Sequence, residues 1–207
     1  AHVALEHNVK DEPFGFTQSK LHRITGWETA TLNPLETRDL NANVNGNEVV
    51  KGNAISHAWD VVAYEPGGTL SKVFVCGFHT DRIGIVESGA GTIATWSMKR
   101  RRLNPINSSY SMTGPRAAAI HYGSEDRLYV LCALDNSIAV YDPASLNLVN
   151  RFALSADPTP GYIREGRKFL YDARLSGTGF VSCASCHFDG RTDMRLWNLG
   201  DFETPDF

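Results

Sequence analysis

The sequence predicts a mainly β chain that gives way, late on, to a small, mostly helical segment. Three observations carry this reading. Short apolar runs alternate with period two between Gly- and Asp-containing turns. One such pattern recurs without a gap, and near Ala156 the alternation stops and gives way to helix-capping residues and glycine-rich loops.

The recurrence is the most informative of the three. The stretch Val73 to Glu87 lies over Leu128 to Asp142 with its apolar positions superimposed. Each copy reads as a hairpin: an apolar strand, a polar turn (Thr80-Asp81-Arg82 or Asp135-Asn136-Ser137), and a second strand ending on an acidic residue. Ala58 to Tyr64 and Pro115 to Tyr122 supply an earlier strand for each copy, and Asn147 to Leu154 a later one. Trp27 to Leu35 echoes Tyr141 to Val149, so a third copy ends near Leu40. Four strands per unit at a spacing of about 40 to 60 residues is the pattern of a β-propeller blade. The expectation is a partial β-propeller of two to three blades over residues 1–156, short of the four or so that a closed propeller needs.

Over residues 157–207, Thr159 is placed to cap a helix with Pro160 at its first position, and Ile163, Gly166, Arg167, Phe169 and Leu170 follow at helical spacing. The loop Ser176-Gly177-Thr178-Gly179 then leads into Val181-Ser182-Cys183-Ala184-Ser185-Cys186-His187.

Composition narrows the function. Hydrophobic residues make up 42% of the chain, enough for a buried core, and the formal net charge of -3 argues against a general nucleic-acid binder. No apolar run approaches the ~18 residues of a membrane span. Four cysteines are too few for a disulfide framework. Cys76 and Cys132 sit singly in strand-like segments, one position out of register in the repeat, and read as buried free thiols facing different sides of their sheets.

Cys183, Cys186 and His187 form the Cys-x-x-Cys-His pattern of covalent c-type haem attachment. Two thiols on one turn can each add to a haem vinyl group, and the residue that follows turns its imidazole toward the iron. A zinc site would need two more ligands at matching spacing, and none lies nearby. A thiol redox site would need the strand-then-helix context that is missing here. The expected cofactor is one covalent haem c per chain, with Cys183 and Cys186 as thioether links and His187 as the iron ligand. Met194 could be the sixth ligand, since Met often partners His in c-type haems, but it lies seven residues beyond His187 and a short loop makes the crossing to the distal face hard; the upstream histidines read as surface or strand residues. Arg174, Arg191 and Arg195 could pair with the haem propionates, since a guanidinium matches a carboxylate in bidentate geometry, or could be solvated loop arginines. Phe169, Leu170 and Trp197 could wall the haem or could be core. Lys99-Arg100-Arg101-Arg102 reads either as a solvated loop or as a docking patch for an acidic redox partner.

Two resemblances rest on these residues. Pro115-Arg116-Ala117-Ala118-Ala119-Ile120, Asp126-Arg127-Leu128-Tyr129-Val130 and Asp135-Asn136-Ser137-Ile138-Ala139-Val140-Tyr141-Asp142 resemble the YVTN class of β-propeller repeats, over roughly residues 55–156. Gly166 to Ser176, Ser182 to His187 and Asp189-Gly190-Arg191-Thr192-Asp193 resemble the haem module of the bacterial di-haem cytochrome c peroxidase and MauG family. That second resemblance implies the same roles for Cys183, Cys186 and His187. The chain departs from it in having no second Cys-x-x-Cys-His and only twenty residues after His187. Both the propeller and the haem segment are therefore expected to be incomplete, the chain being a piece of a longer polypeptide or pairing with another chain that completes both.

The expected function is extracytoplasmic, for instance periplasmic, electron transfer, with the propeller surface docking a redox partner or substrate. Covalent haem attachment implies export, although the chain opens at Ala1 without a charged-then-apolar leader. The rival expectations are a haem peroxidase or oxidase of the cytochrome c peroxidase and MauG type, and a propeller binding protein with a structural haem.

Overall fold

The computed structural model describes residues 2–8, 21–27, 31, 34–41, 53–90, 96–107, 110–177, 179, 181–192 and 194. The strands form three antiparallel sheets. The first holds β1 (His2–Asn8), β2 (Leu21–Trp27) and β3 (Pro34–Asp39). The second holds β4 (Ala58–Tyr64), β5 (Lys72–Gly77), β6 (Arg82–Glu87) and β7 (Ser97–Arg102). The third holds β8 (Pro115–His121), β9 (Arg127–Cys132), β10 (Ser137–Tyr141) and β11 (Leu148–Ala153). Within each sheet the strands lie in chain order, and the first strands of neighbouring sheets lie side by side, β1 by β4 and β4 by β8.

The sequence repeat is reproduced in backbone detail. The turns after β5 and β9 place Asp81 and Asn136, matched positions of the repeat, in left-handed conformation (φ 54° and 51°). Asp and Asn visit that region most readily among residues with a side chain. β4 and β8 carry the same irregularity: the register skips one residue, Trp59 in β4 and Arg116 in β8. A third correspondence links Gly26/Trp27 and Val140/Tyr141, where the pairing shifts so that Trp27 faces Pro34 and Tyr141 faces Leu148.

Burial separates two strands that the repeat matches. β5 lies in the sheet between the other two, so Val73 and Val75 pack toward Ile24 and Leu40 beside the first sheet, while Phe74 and Cys76 pack toward the third. Both faces are dry, which is why the strand is apolar from Val73 to Gly77. In β9 only Leu128, Val130 and Cys132 are buried, and they face the second sheet. Cys76 and Cys132 thus meet in one core from opposite faces of their own sheets. A smaller cluster of Phe78, Met112 and Leu134, with Trp59, Ala133 and Tyr171 against it, closes one end.

Asp81 ties these parts together. Its Oδ1 accepts hydrogen bonds from Thr113 N (2.8 Å), Thr113 Oγ1 (2.9 Å) and Gly114 N (3.0 Å), and its Oδ2 lies 3.3 Å from an Arg174 nitrogen. Gly114 has φ 57°, and a Cβ there would stand 2.5 Å from Leu134 and 2.7 Å from Phe78. Only glycine fits that approach.

The fold expectation needs correction in its second half. The segment from residue 157 onward is not mostly helical: among the described residues it holds one α-helix, α1 (Gly161–Tyr171), and three single 3-10 turns at Ala173–Leu175, Cys183–Ser185 and Phe188–Gly190. Local side chains compete for the backbone. Asp172 ends α1 and accepts from Arg174 N, Ser176 Oγ binds Ala173 O, and Ser182 and Ser185 cap each other's turn. Such bonds offer the chain an alternative to helix, and Asp189 and Gly190, both at positive φ, prevent a longer run. The helix start also differs, for Pro160 occupies the cap position and Thr159 Oγ1 instead accepts from Arg167 (3.1 Å). Lys99 to Arg102 is not a loop but most of β7, an edge strand. Lys99 pairs with Glu87 (2.8 Å), Arg100 donates to Leu40 O (2.6 Å), and Arg101 lies over the Tyr141 ring. Charge on an edge strand discourages pairing with another sheet.

Replacing Asp81 should show its weight in urea denaturation. Asp81→Ala leaves the buried Thr113 and Gly114 donors without their acceptor and takes one of two carboxylates from Arg174, which keeps Asp172, with an expected loss of about 2–4 kcal/mol. Asp81→Asn keeps an acceptor for Thr113 and Gly114 and should cost distinctly less.

Candidate functional site

The Cys-x-x-Cys-His motif is wound into one tight turn. Cys186 N and His187 N both donate to Cys183 O, at 3.2 and 2.9 Å. Ser182 N donates to Ser185 Oγ (3.0 Å), half of a reciprocal capping box that closes the turn. The two spacer residues point inward: Ala184 is fully buried and Ser185 nearly so, against α1. Their small size lets the turn sit close to the helix. In consequence Cys183 and His187 are exposed and Cys186 half-buried. Neither thiol is tied up in a disulfide. Among the described residues no group of three or more His, Cys, Asp or Glu converges as metal ligands do. A haem would take only the imidazole at iron, both sulfurs going to the ring.

The turn rests on the sheets at both of its flanks. Before it, Ser182 Oγ lies 2.9 Å from Nδ1 of His79, which is 1% exposed. After it, Asp189 receives both terminal nitrogens of Arg116, at 3.2 and 2.8 Å. His79 stacks on His57 (4.2 Å between ring centroids) and lies beside Tyr171 (5.8 Å). Arg116 lies over the Trp59 ring at 4.3 Å, and Trp59 in turn meets His57 and Phe78. Trp59 and Arg116 are the two bulged residues of β4 and β8. A bulge re-aims the side chain that it carries, and here it brings a guanidinium onto an indole face. An exposed ion pair alone contributes about 0–1 kcal/mol; the stacked indole adds roughly 0.5–1 kcal/mol and fixes the direction of the guanidinium.

The remaining predicted residues fall in different places. Arg174 is held by Asp172 (two bonds of 2.7 Å) and by Asp81, and these carboxylates keep its guanidinium firmly charged. Arg191 is exposed beyond the turn, and so is Met194 (86%), which has φ 55°. Phe169 is 67% exposed on α1, with the Lys168 ammonium over its ring, and Leu170 is half-buried. Arg195 and Trp197 lie outside the described residues. The reading of the upstream histidines as surface or strand residues needs correction at His79, which is buried in the turn between β5 and β6, and sequence reasoning missed Trp59, Arg116 and Tyr171. Trp59 and Arg116 did leave a signal, since each is the second residue of the first strand in its repeat unit.

No family model matches this chain, and neither a curated protein nor a solved structure matches it.

The four thiols divide sharply. Burial pushes the Cys132 thiol up to about 12 and Cys76 higher still. In the folded, haem-free chain a thiol reagent at pH 8 should therefore modify Cys183 first and Cys186 next, and should reach Cys76 and Cys132 only after denaturation. Modification of all four in the native chain would contradict the burial described.

Proposed function

We propose that this chain is a c-type haem protein that transfers electrons outside the cytoplasm, its haem tethered by Cys183 and Cys186 and held at iron by His187. The observation that carries the reading is the turn itself, which sets Cys183 and His187 at the surface and Cys186 half-buried beside them, around buried spacers and with neither thiol in a disulfide. Bound there, the haem would supply one-electron chemistry. The chain's own part is to present the thiols to the vinyl groups and to orient His187. Arg191, exposed close beyond the turn, is the better placed propionate partner, because Arg174 already serves Asp172 and Asp81. An extracytoplasmic location follows from the chemistry, since covalent attachment of this kind is made there.

The sheets would offer the surface for a redox partner. Lys99 and Arg102 are exposed on β7 and suit an acidic one. Among the described residues no helix is long and apolar enough to cross a membrane.

Export of the chain in a host that matures c-type cytochromes tests the reading. The expected product carries one haem that survives denaturation. Cys183→Ala with Cys186→Ala abolishes the covalent link, and His187→Ala keeps it while changing the Soret and visible bands. A chain that emerges without covalent haem would overturn the proposal. Rapid turnover of peroxide by the haem-loaded chain would move it to the peroxidase class.

A further inference from the structure

We propose that His79 and Arg116 are positioning residues that hold the attachment turn in its presenting geometry before any haem is bound. The inference rests on the proposed role of Cys183, Cys186 and His187 and adds the part played by the β-sheets. His79 grips Ser182, the residue immediately before Cys183, and Arg116 grips Asp189, two residues after His187. The two grips come from different sheets, the second and the third, so they set both the position and the tilt of the turn between them.

Each grip is itself braced. His79 is buried and stacked on His57, with Tyr171 at its side. Arg116 lies on Trp59 and reaches toward Phe78 (5.5 Å). His57 holds this brace at a cost in backbone conformation. Its φ is 51°, and the residue that makes the matching backbone contact in the next unit is Gly114 (φ 57°): Phe78 N bonds His57 O just as Ala133 N bonds Gly114 O. A side chain kept in the left-handed region where the neighbouring unit uses glycine marks a position selected for what the side chain does. The repeat sharpens the point, because Phe78 and His79 correspond to Ala133 and Leu134 in the third sheet. The second unit alone, of these two, carries the ring cluster, and it is the unit against which Ser182 rests.

A segment built of single 3-10 turns has few hydrogen bonds of its own to resist opening. Fastened at 182 and 189, it loses that freedom in advance, and the thiols and imidazole stand ready rather than being gathered by the haem.

Hydrogen exchange on the full chain produced without haem tests this. In the wild-type chain the Cys186 and His187 amides should exchange well below free-chain rates. Ser182→Ala, His79→Ala and Arg116→Ala should each speed exchange across residues 182–190 about tenfold or more, while β9 and β10 keep their protection. Arg116→Lys should recover part of the loss, since it keeps the charge without the fork. Because Ser182→Ala removes the capping-box bond from Ser185 together with the His79 bond, His79→Phe is the discriminating variant: it keeps the buried stack and the cap, loses only the bond to Ser182, and should speed exchange likewise. Free-chain exchange of the turn in the wild type, or unchanged exchange in His79→Phe and Arg116→Ala, would overturn the proposal. None of these readouts needs haem, so a failure to attach haem would count against the function and not against the clamp.

Discussion

A single buried carboxylate, Asp81, is the constraint on which the arrangement depends. Burial pushes its pKa up, while the Gly114 amide, Arg174 and Thr113 work in the opposite direction. It sits at the turn between β5 and β6, yet its partners lie at the entrance to β8 and beyond the end of α1. One side chain thus joins the second sheet, the third sheet and the terminal segment. The Thr113 and Gly114 donors meet it where water is excluded, and this makes the joint specific rather than merely cohesive.

From that joint the candidate site follows by short steps. Arg174, drawn to Asp81 and Asp172, fixes the chain where it leaves α1. The turn of Cys183 to His187 then packs its small spacers on the helix and leaves Cys183 and His187 exposed, with Cys186 half-buried. Rigid elements carry the supporting residues, and the exposed turn carries the chemistry. Sites are precise when their supports are locked by packing and hydrogen bonds of their own.

How much of this was legible in the sequence depends on what each feature rests on. The hairpins over 73–87 and 128–142 are legible because alternation and turn residues are local signals, and local signals suffice where tertiary contacts agree with them. The Cys-x-x-Cys-His pattern is legible because it is a local signal of fixed spacing. The mostly helical ending was misread: Ile163, Phe169 and Leu170 do mark α1, but beyond Tyr171 the bonds of Asp172, Ser176, Ser182 and Ser185 to nearby backbone set the path. Lys99 to Arg102 looked like a loop because a run of cations masks the alternation of an edge strand. The support of the turn was hidden for another reason. His79 and Ser182 stand far apart in sequence, and nothing local in either foretells the other.

The bulges of β4 and β8 bear on how such a support arises. Trp59 and Arg116 occupy one geometric post, built twice by the same backbone irregularity in successive units. Duplication of a unit copies the post together with its aim, so that two side chains come to stand in register without any further change in the backbone. Divergence then needs to alter only chemistry. An indole at one copy and a guanidinium at the other turn a structural repeat into a complementary pair, and the repetition of a fold becomes the means by which an asymmetric site is made.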